Sequence, residues 1–545
     1  MVSKRAACRC GPVPALSAWL TCLILAGCDG SFGTGGTGEL VVPRETLQRI
    51  DNTEMSAIAA TRPDTRPTTQ PAAQIQLTIE EVRQAAIANN LDLKVELLNP
   101  TIAQQAITEA QAAFESVFNT NVNYAKIDAP TSSKLNSTQD SSLTTNTGVQ
   151  VPLRTGGTLD FNVPVNRFET NNQFSTLNPA YTSDFTAAIS QPLFKGAGTD
   201  ANAHAIRIAF YTSQRTEART KLEVTRVLAE ADRLYWRLYA SRRALEVRKK
   251  EHDLAVSQLE RAQRRVRAEL AAEVEVVRAE SGVADSLEGV IRAELDARDR
   301  QRELKRVLNR PDLAMNTPTI VVPATEPNAV YYQIDPNRLV DLALKQRMEM
   351  LATELQIALE TANVKYAKNQ MLPLVVLQYQ YNINGLGPTL GNSFTMLRDN
   401  DFDDHQLGLS LQVPIGNEAA RSRLRRSLAS RLQAIATKEQ QAATIEQEVL
   451  GAADQLESSW QRIMAAKTRV AAATRTLQAE IQQFNQGMRT SNDVLDAQTR
   501  LANAALSEIQ ATAEYQIAQV DIAFATGTVL GKAKIVWQAT KGPRI

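Results

Sequence analysis

Cysteine is absent from this sequence after residue 28, and histidine is rare throughout it. The four cysteines stand at positions 8, 10, 22 and 28, so no disulfide framework or cysteine-rich metal site is predicted for the rest of the chain. The histidines do not form a pair at metal-ligand spacing; they are His204, His252 and His405. A glycine-rich phosphate loop is also missing. We therefore expect no catalytic, metal or cofactor-binding residues and a chain that is not an enzyme.

An excess of charge of one sign and a long apolar run are missing as well. Lys plus Arg number 60 and Asp plus Glu number 59, a balance that offers no basic face to nucleic acid. After the first 27 residues no stretch reaches the roughly 20 apolar residues of a transmembrane helix. Aromatic residues make up only 5% of the chain, whereas Ala, Gln, Arg, Glu and Leu fill long stretches. This composition is typical of long packed helices.

The chain opens with the pattern of an export signal. Basic residues at positions 4, 5 and 9 precede an apolar region at 15–26. That region ends in Leu25-Ala26-Gly27-Cys28, which resembles the lipobox of bacterial lipoproteins and implies cleavage before Cys28 and acylation of its thiol. The alternative is an ordinary secretory signal with an incidental cysteine. We expect a signal peptide at 1–27 and a covalent lipid on Cys28 as the only attached group.

A flexible linker is predicted for residues 28–75. Residues 31–38 are rich in Gly, Thr and Ser, and residues 61–73 contain prolines and charges with no apolar periodicity. Such a segment cannot bury enough surface to offset its chain entropy.

The rest of the chain repeats itself. Ala86-Ile87 aligns with Ala343-Leu344 at an offset of 257 residues, and Pro192 aligns with Pro414 at an offset of 222. We therefore predict two structural repeats, at 76–320 and 330–530, followed by a C-terminal tail at 531–545. The smaller second offset places about 35 additional residues in the first copy, between Phe114 and Pro192.

Part of each copy alternates apolar and polar residues with a period of two. Leu377, Tyr379, Tyr381 and Ile383 alternate with Gln and Asn, which predicts strands that have one apolar and one polar face. Strands are expected at about 374–414 and, together with an extended outer loop, at about 115–192; the alternation on both sides of residues 154–157 suggests an additional hairpin within that loop. A half-exposed soluble sheet has the same alternation. The small number of strands beside such long helical regions favours a membrane wall.

Two long regions, about 198–309 and 416–527, are predicted to be helical hairpins. Neither contains proline, and their apolar residues recur at spacings of three and four. The fold class is therefore mainly α: long antiparallel coiled-coil helices plus about four β-strands per chain, too few to close a barrel within one chain.

One motif of the second copy carries a family resemblance. Gly487-Met488-Arg489-Thr490-Ser491-Asn492-Asp493-Val494-Leu495-Asp496-Ala497-Gln498 resembles the turn at the periplasmic tip of the TolC family of outer-membrane efflux proteins. The closing segment Ala523-Phe524-Ala525-Thr526-Gly527 is similar to the family's end of the last long helix. Gln191-Pro192-Leu193-Phe194-Lys195-Gly196 resembles its strand-to-helix junction. The first copy has a degraded tip, with Glu269 in place of Gly487 and Val276 beyond it. The ordered set covers about residues 77–530.

The resemblance implies a fold and a function. Three subunits would share one β-barrel in the cell outer membrane and one helical tunnel in the periplasm. The chain would be the passive exit duct of a tripartite efflux or type I secretion system. Its partners would be two further copies of itself, a periplasmic adaptor, an inner-membrane pump and outer-membrane lipid.

The resemblance also implies site residues at the tip. Asp493 and Asp496, three residues apart on a helix, would form acidic rings across a narrow entrance and select cations, with Arg489 and Phe484 in the closing latch. Phe484 stands where the family often has tyrosine, so a hydroxyl is lost. The adaptor would dock on residues of both tips, namely Gly487, Met488, Val494, Glu269 and Val276. The alternative for the two aspartates is a solvated helix start, where the helix dipole favours acidic side chains.

Two other functions compete with a channel. A periplasmic adaptor also has helical hairpins and often a lipid anchor, but it has one hairpin between the halves of a β domain and no two-copy order. A coiled-coil scaffold without a pore leaves the alternating strands unexplained.

Overall fold

A computed structural model describes residues 73–132, 136–270 and 272–534. The predicted signal peptide, the predicted lipidation site Cys28, all but the last three residues of the predicted linker and most of the predicted C-terminal tail lie outside these residues. Within them, no helix combines the length and the apolar composition that a membrane-crossing helix needs. No group of three or more His, Cys, Asp or Glu side chains in the described part could hold a metal ion.

Helices and strands alternate along the chain in two blocks. The strands are β1 Gln74–Leu77, β2 Val117–Asp128, β3 Gln139–Pro152, β4 Thr158–Thr170, β5 Ala180–Pro192, β6 Ile320–Pro323, β7 Leu374–Gly387 and β8 Asp403–Gln412. The helices are α1 Ile79–Asn89, α2 Leu91–Glu96, α3 Asn99–Ala112, α4 Thr199–Asn202, α5 His204–Arg267, α6 Val274–Leu308, α7 Pro336–Gln346, α8 Met348–Asn369, α9 Leu390–Asp399, α10 Glu418–Asn485, α11 Ser491–Ala525 and α12 Val529–Lys532. The mainly helical fold with a smaller strand component is confirmed.

Six strands form one antiparallel sheet in the order β2-β3-β4-β5-β7-β8. Its register places apolar residues of neighbouring strands side by side on one face, as in the row Val151, Leu159, Ile189, Tyr379 and Leu407. The opposite face is polar, as in the row Asn119, Gly148, Asn162, Thr186, Asn382 and Asp404. The register therefore aligns the alternating residues of all six strands, so that the sheet has one apolar and one polar face.

The surplus of the first copy is sheet rather than an extended outer loop. The alternation continues through residues 139–170, so β3 and β4 pair along their full length and raise the strand number from about four to six. Their turn lies at the helical end of the sheet: the Gly198 amide donates to the Thr155 carbonyl oxygen at 3.0 Å. Gly156 has φ +93°, and a Cβ there would stand 2.2 Å from the Gly196 carbonyl oxygen. Because of this backbone conformation and this close approach, only glycine fits at position 156.

The long helices form two hairpins with unequal arms. Helix α10 has 68 residues and is about 100 Å long at 1.5 Å per residue, whereas α11 has 35 residues. In the first copy, α5 has 64 residues and α6 again 35. The short arms end about halfway along the long ones. Ala525 of α11 packs there against Ile445 and Val449 of α10, and Leu308 of α6 lies in a larger core cluster with Leu228 and Leu234 of α5. Helices α3 and α8 accompany the other half of the long arms.

That core cluster surrounds a small parallel sheet of β1 and β6. Tyr235 is fully buried in it; its hydroxyl donates to the Leu77 carbonyl oxygen at 3.1 Å and accepts from the Thr325 amide at 2.8 Å. Burial raises the pKa of this phenol. Close by, Arg83 forms a two-pronged, largely buried ion pair with Asp232, 2.8 Å at each prong. These contacts tie both ends of the first block to its long helix.

Candidate functional site

The turn between α10 and α11 reverses the chain at Gly487. This residue has φ +78°, the left-handed conformation that glycine adopts without steric cost. Its amide donates to the Phe484 carbonyl oxygen at 3.0 Å, and the Met488 amide donates to the Gln483 carbonyl oxygen at 3.0 Å. These two bonds satisfy the last carbonyls of α10 in a Schellman-type ending. The Met488 side chain is 66% exposed at the apex.

Helix α11 begins with a capping box that uses Asp493. The Asp493 amide donates to the Thr490 hydroxyl, and the Asp493 carboxylate accepts from the Thr490 amide at 2.9 Å and from its hydroxyl at 2.8 Å. Donation from the Thr490 backbone, then from its hydroxyl, lowers the pKa of Asp493. Asp493 therefore has a structural function at the helix start, and its function in a pore remains a prediction.

The tip of the first copy has the same backbone shape without glycine. Glu269 has φ +60°. Its amide donates to the Val266 carbonyl oxygen and the Leu270 amide to the Arg265 carbonyl oxygen, both at 2.9 Å. This pattern repeats that of Gly487 and Met488. The replacement of glycine by Glu269 has thus left the turn intact while imposing the strain of a left-handed residue that has a Cβ.

Three contacts join the two tips, and none of them was anticipated from the sequence. Arg265 lies with its guanidinium 4.6 Å from the ring centroid of Phe484 and donates to the Phe484 carbonyl oxygen at 3.1 Å. The Ser491 amide donates to the Glu275 carboxylate at 2.9 Å. The Gln258 side-chain amide donates to the Ser491 hydroxyl at 3.1 Å, in a buried position. The tips of one chain are therefore locked to each other.

Two of the predicted site residues lie in the core of the tip. Val494 is fully buried and Phe484 is 5% exposed; both pack in a small cluster with Leu477 and Ala497. The assignment of Val494 to an adaptor-docking surface is therefore wrong, because the side chain faces α10 and reaches no solvent. Val276 is half-buried, and Glu269 and Gly487 are exposed.

Arg489 is held by its own helix hairpin. Its Nε donates to the Gln483 side-chain oxygen at 3.0 Å and lies 3.3 Å from the Glu480 carboxylate. It forms no ion pair with Asp493 or Asp496 among the described contacts. A change of charge at Arg489 would therefore act first on the end of α10.

Asp496 faces a different environment from Asp493. It is exposed at the rim of a polar cleft of about 340 Å³ between the two hairpins. The cleft is also lined by Arg248, Arg278 and Asp285. In a single chain the two predicted gate carboxylates are therefore three residues apart but do not share partners.

Comparisons with known proteins agree with this architecture. The family model described as outer membrane efflux protein matches residues 339–528. Outer membrane protein TolC of Escherichia coli K12 is 27% identical over 198 residues, which span 35% of this chain and only 40% of the length of TolC.

Solved structures extend the match to both copies. The Campylobacter jejuni CmeC outer membrane channel superposes with a TM-score of 0.61 at 15% identity, over 83% of this chain and 85% of CmeC. The open state of the Neisseria gonorrhoeae MtrE outer membrane channel gives 0.59 at 15% identity, over 83% and 89%. At these identities the similarity shows the fold. Residues 339–528 are therefore similar to the outer membrane efflux protein family, and the chain as a whole shares the fold of solved outer-membrane channels.

Proposed function

We propose that this chain is the outer-membrane exit duct of a tripartite efflux or type I secretion system, working as a homotrimer that passively conducts solutes. The observation that carries the proposal is a two-faced sheet joined directly to long helices. The chain passes from α3 into β2, from β5 into α4 and α5, from α8 into β7, and from β8 into α10. A wall of strands and a tube of helices are thus parts of one continuous structure.

Apart from its end near Ser183 and Gly385, where α9 packs against the sheet, the apolar face is covered by no residue that the structure describes. Leu407, Leu409 and Leu411 are 73%, 69% and 67% exposed, and Phe118 is 66% exposed. Contact with lipid removes this surface from water, while the opposite Asn, Thr and Gln face lines an aqueous lumen. Backbone groups inside a membrane require internal hydrogen bonds, so the sheet must close into a barrel with other copies.

The helical hairpins supply the tunnel and its entrance. Their tips lie at the ends farthest from the sheet, and the second-copy tip presents the exposed Met488 beside the charged Arg489. A periplasmic adaptor, itself coupled to an inner-membrane pump, docks on these tips. The acidic side chains Asp493 and Asp496 line the entrance and favour cations.

The lipid on Cys28 adds a second attachment to the outer membrane. A single acyl chain binds a membrane only reversibly, whereas several chains or a barrel hold it firmly. Cys28→Ser should abolish labelling by radioactive palmitate, and Cys22→Ser should leave it intact. Persistent labelling of the Cys28→Ser protein would contradict the lipobox.

Permeability of vesicles tests the proposed duct against the adaptor and scaffold alternatives. Liposomes holding the purified protein are loaded with a small sugar and a large dextran. Vesicles with the Arg489→Ala protein should release the sugar and retain the dextran, because the altered tip opens while the barrel stays intact. Retention of both solutes, with protein bound only to the outside of the vesicles, would favour an adaptor or scaffold.

A further inference from the structure

The two copies contribute unequal numbers of strands to the sheet. The second copy provides two, β7 and β8, and the first provides four, β2 to β5. The additional hairpin, β3 with β4, stands between β2 and β5 rather than at an edge. It is paired on both sides over most of its length.

The turn of this hairpin is fastened to the body of the protein. The Gln191 side chain donates to the Thr155 carbonyl oxygen at 3.1 Å and accepts from the Thr155 hydroxyl at 2.9 Å. The Gly198 amide also donates to that carbonyl oxygen. Residues 190–198 form the junction where the sheet passes into helix, so β3 ends and β4 begins at the level where the other strands meet the helices.

The two edges of the sheet are long, and no residue that the structure describes covers them. Strand β2 has 12 residues and β8 has 10, and both are exposed along nearly their whole length. Edge strands of this kind pair with another chain unless a bulge, a proline or a covering element prevents it. With six antiparallel strands, β2 and β8 run in opposite directions. The β8 edge of one copy therefore meets the β2 edge of the next as an antiparallel neighbour, with both apolar faces outward.

We propose that three copies of this chain close an eighteen-stranded barrel, in which β8 of each copy pairs with β2 of the next and the β3–β4 hairpin forms one third of the wall. The inference rests on the proposed function and specifies the width of the barrel through which solutes leave. At about 4.8 Å between strands and about 40° of tilt, eighteen strands enclose a ring about 36 Å across, against about 24 Å for twelve. The narrow point of the duct is then at the helical tips.

The matched control is a chain without the additional hairpin. Deleting residues 129–170 leaves residues 171–179 to connect β2 with β5. The register across the four strands aligns Phe118 with Val149, Phe161 and Ala187. Removing the two middle strands therefore brings Phe118 beside Ala187 and keeps the apolar faces on one side.

Single-particle imaging of the full-length trimer in lipid nanodiscs tests the inference. We expect eighteen strands and a ring about 36 Å across for the full chain, and twelve strands and about 24 Å for the deletion. A full-length wall of twelve strands, with the hairpin outside it, would overturn the inference, as would any copy number other than three. If the deletion does not fold, the strand count of the full chain still decides. A conducting twelve-stranded trimer refutes only the enlarged barrel, whereas a closed barrel that never conducts refutes the proposed function.

Discussion

The guanidinium of Arg265 lies over the ring of Phe484, 4.6 Å from its centroid, and donates to the carbonyl oxygen of the same residue. Arg265 closes the last turn of α5 and Phe484 the last turn of α10. One side chain therefore contacts both the ring and the backbone at the end of the other hairpin. The ring of Phe484 thus forms a cation–π contact with the other hairpin.

Arg265→Ala should loosen the second-copy tip. Loss of the cation–π contact and of a charge-assisted hydrogen bond should cost about 2 kcal/mol locally. Amide hydrogen exchange at residues 484–490 should therefore accelerate by roughly 30-fold, since 1.4 kcal/mol corresponds to a factor of ten. Arg264→Ala is the control, because the Arg264 side chain is exposed and its ion pair with Glu260 is long, at 3.7 Å. Equal acceleration in both variants would show that Arg265 does not hold the tip.

Introducing glycine at the first tip turn and removing it from the second should have opposite effects on stability. Glu269→Gly should stabilise the first tip by about 1 kcal/mol, because it removes the cost of a left-handed residue with a Cβ. Gly487→Val should destabilise the second tip by more than that and weaken adaptor binding, because a β-branched residue is strained at φ +78°. Hydrogen exchange at each tip and adaptor binding by titration measure these effects. A Gly487→Val protein with unchanged adaptor affinity would exclude this turn from the docking surface.

The cation selectivity of the channel should persist at acidic pH because of Asp493. Its pKa is lowered by the Thr490 backbone and hydroxyl, so the carboxylate keeps its charge, and its stabilisation of the helix start, until the pH falls through that depressed value. Reversal potentials across a salt gradient should therefore stay cation-selective at about pH 4, the usual range of an aspartate. Thr490→Val should move the loss of selectivity to higher pH. Replacing Asp493 and Asp496 by Ala should reduce selectivity at every pH; unchanged selectivity would place the gate elsewhere.

Proteolysis of intact cells should cut two of the three connections at the end of the sheet opposite the long helices. These are residues 129–138, between β2 and β3, and residues 171–179, between β4 and β5. Residues 153–157 should be resistant, because this turn lies at the helical end against Gly198. Mass spectrometry of the fragments identifies the sites. Cleavage within 153–157 on intact cells would reverse the orientation of the sheet.

Local patterns in the sequence account for much of this structure. The alternation at Leu377 to Ile383 predicts the apolar face of β7, and Gly487 predicts the left-handed turn, because each depends on neighbours only a few residues away. The repeat offset predicts where the first copy is longer. It does not predict that the surplus enters the sheet, because this depends on pairing β2 with β3 and β4 with β5 across the whole register.

Local sequence patterns do not predict contacts between residues that are far apart in the chain. Arg265 and Phe484 are 219 positions apart, and a local motif does not connect residues at that separation. The same holds for the burial of Val494, which the motif placed on a docking surface. Its side chain is turned inward because α11 packs its first turn on the end of α10. Helix periodicity predicts an apolar side but not which of two neighbouring helices covers it.

Conductance of the purified protein in planar lipid bilayers tests the central claim most directly. An exit duct should insert as a stable trimer and give stepwise, cation-selective currents. Arg489→Ala should raise the conductance of each step, because loss of its contacts with Gln483 and Glu480 frees the end of α10. A trimer that binds the bilayer but passes no current, in either the native or the Arg489→Ala form, would contradict a channel.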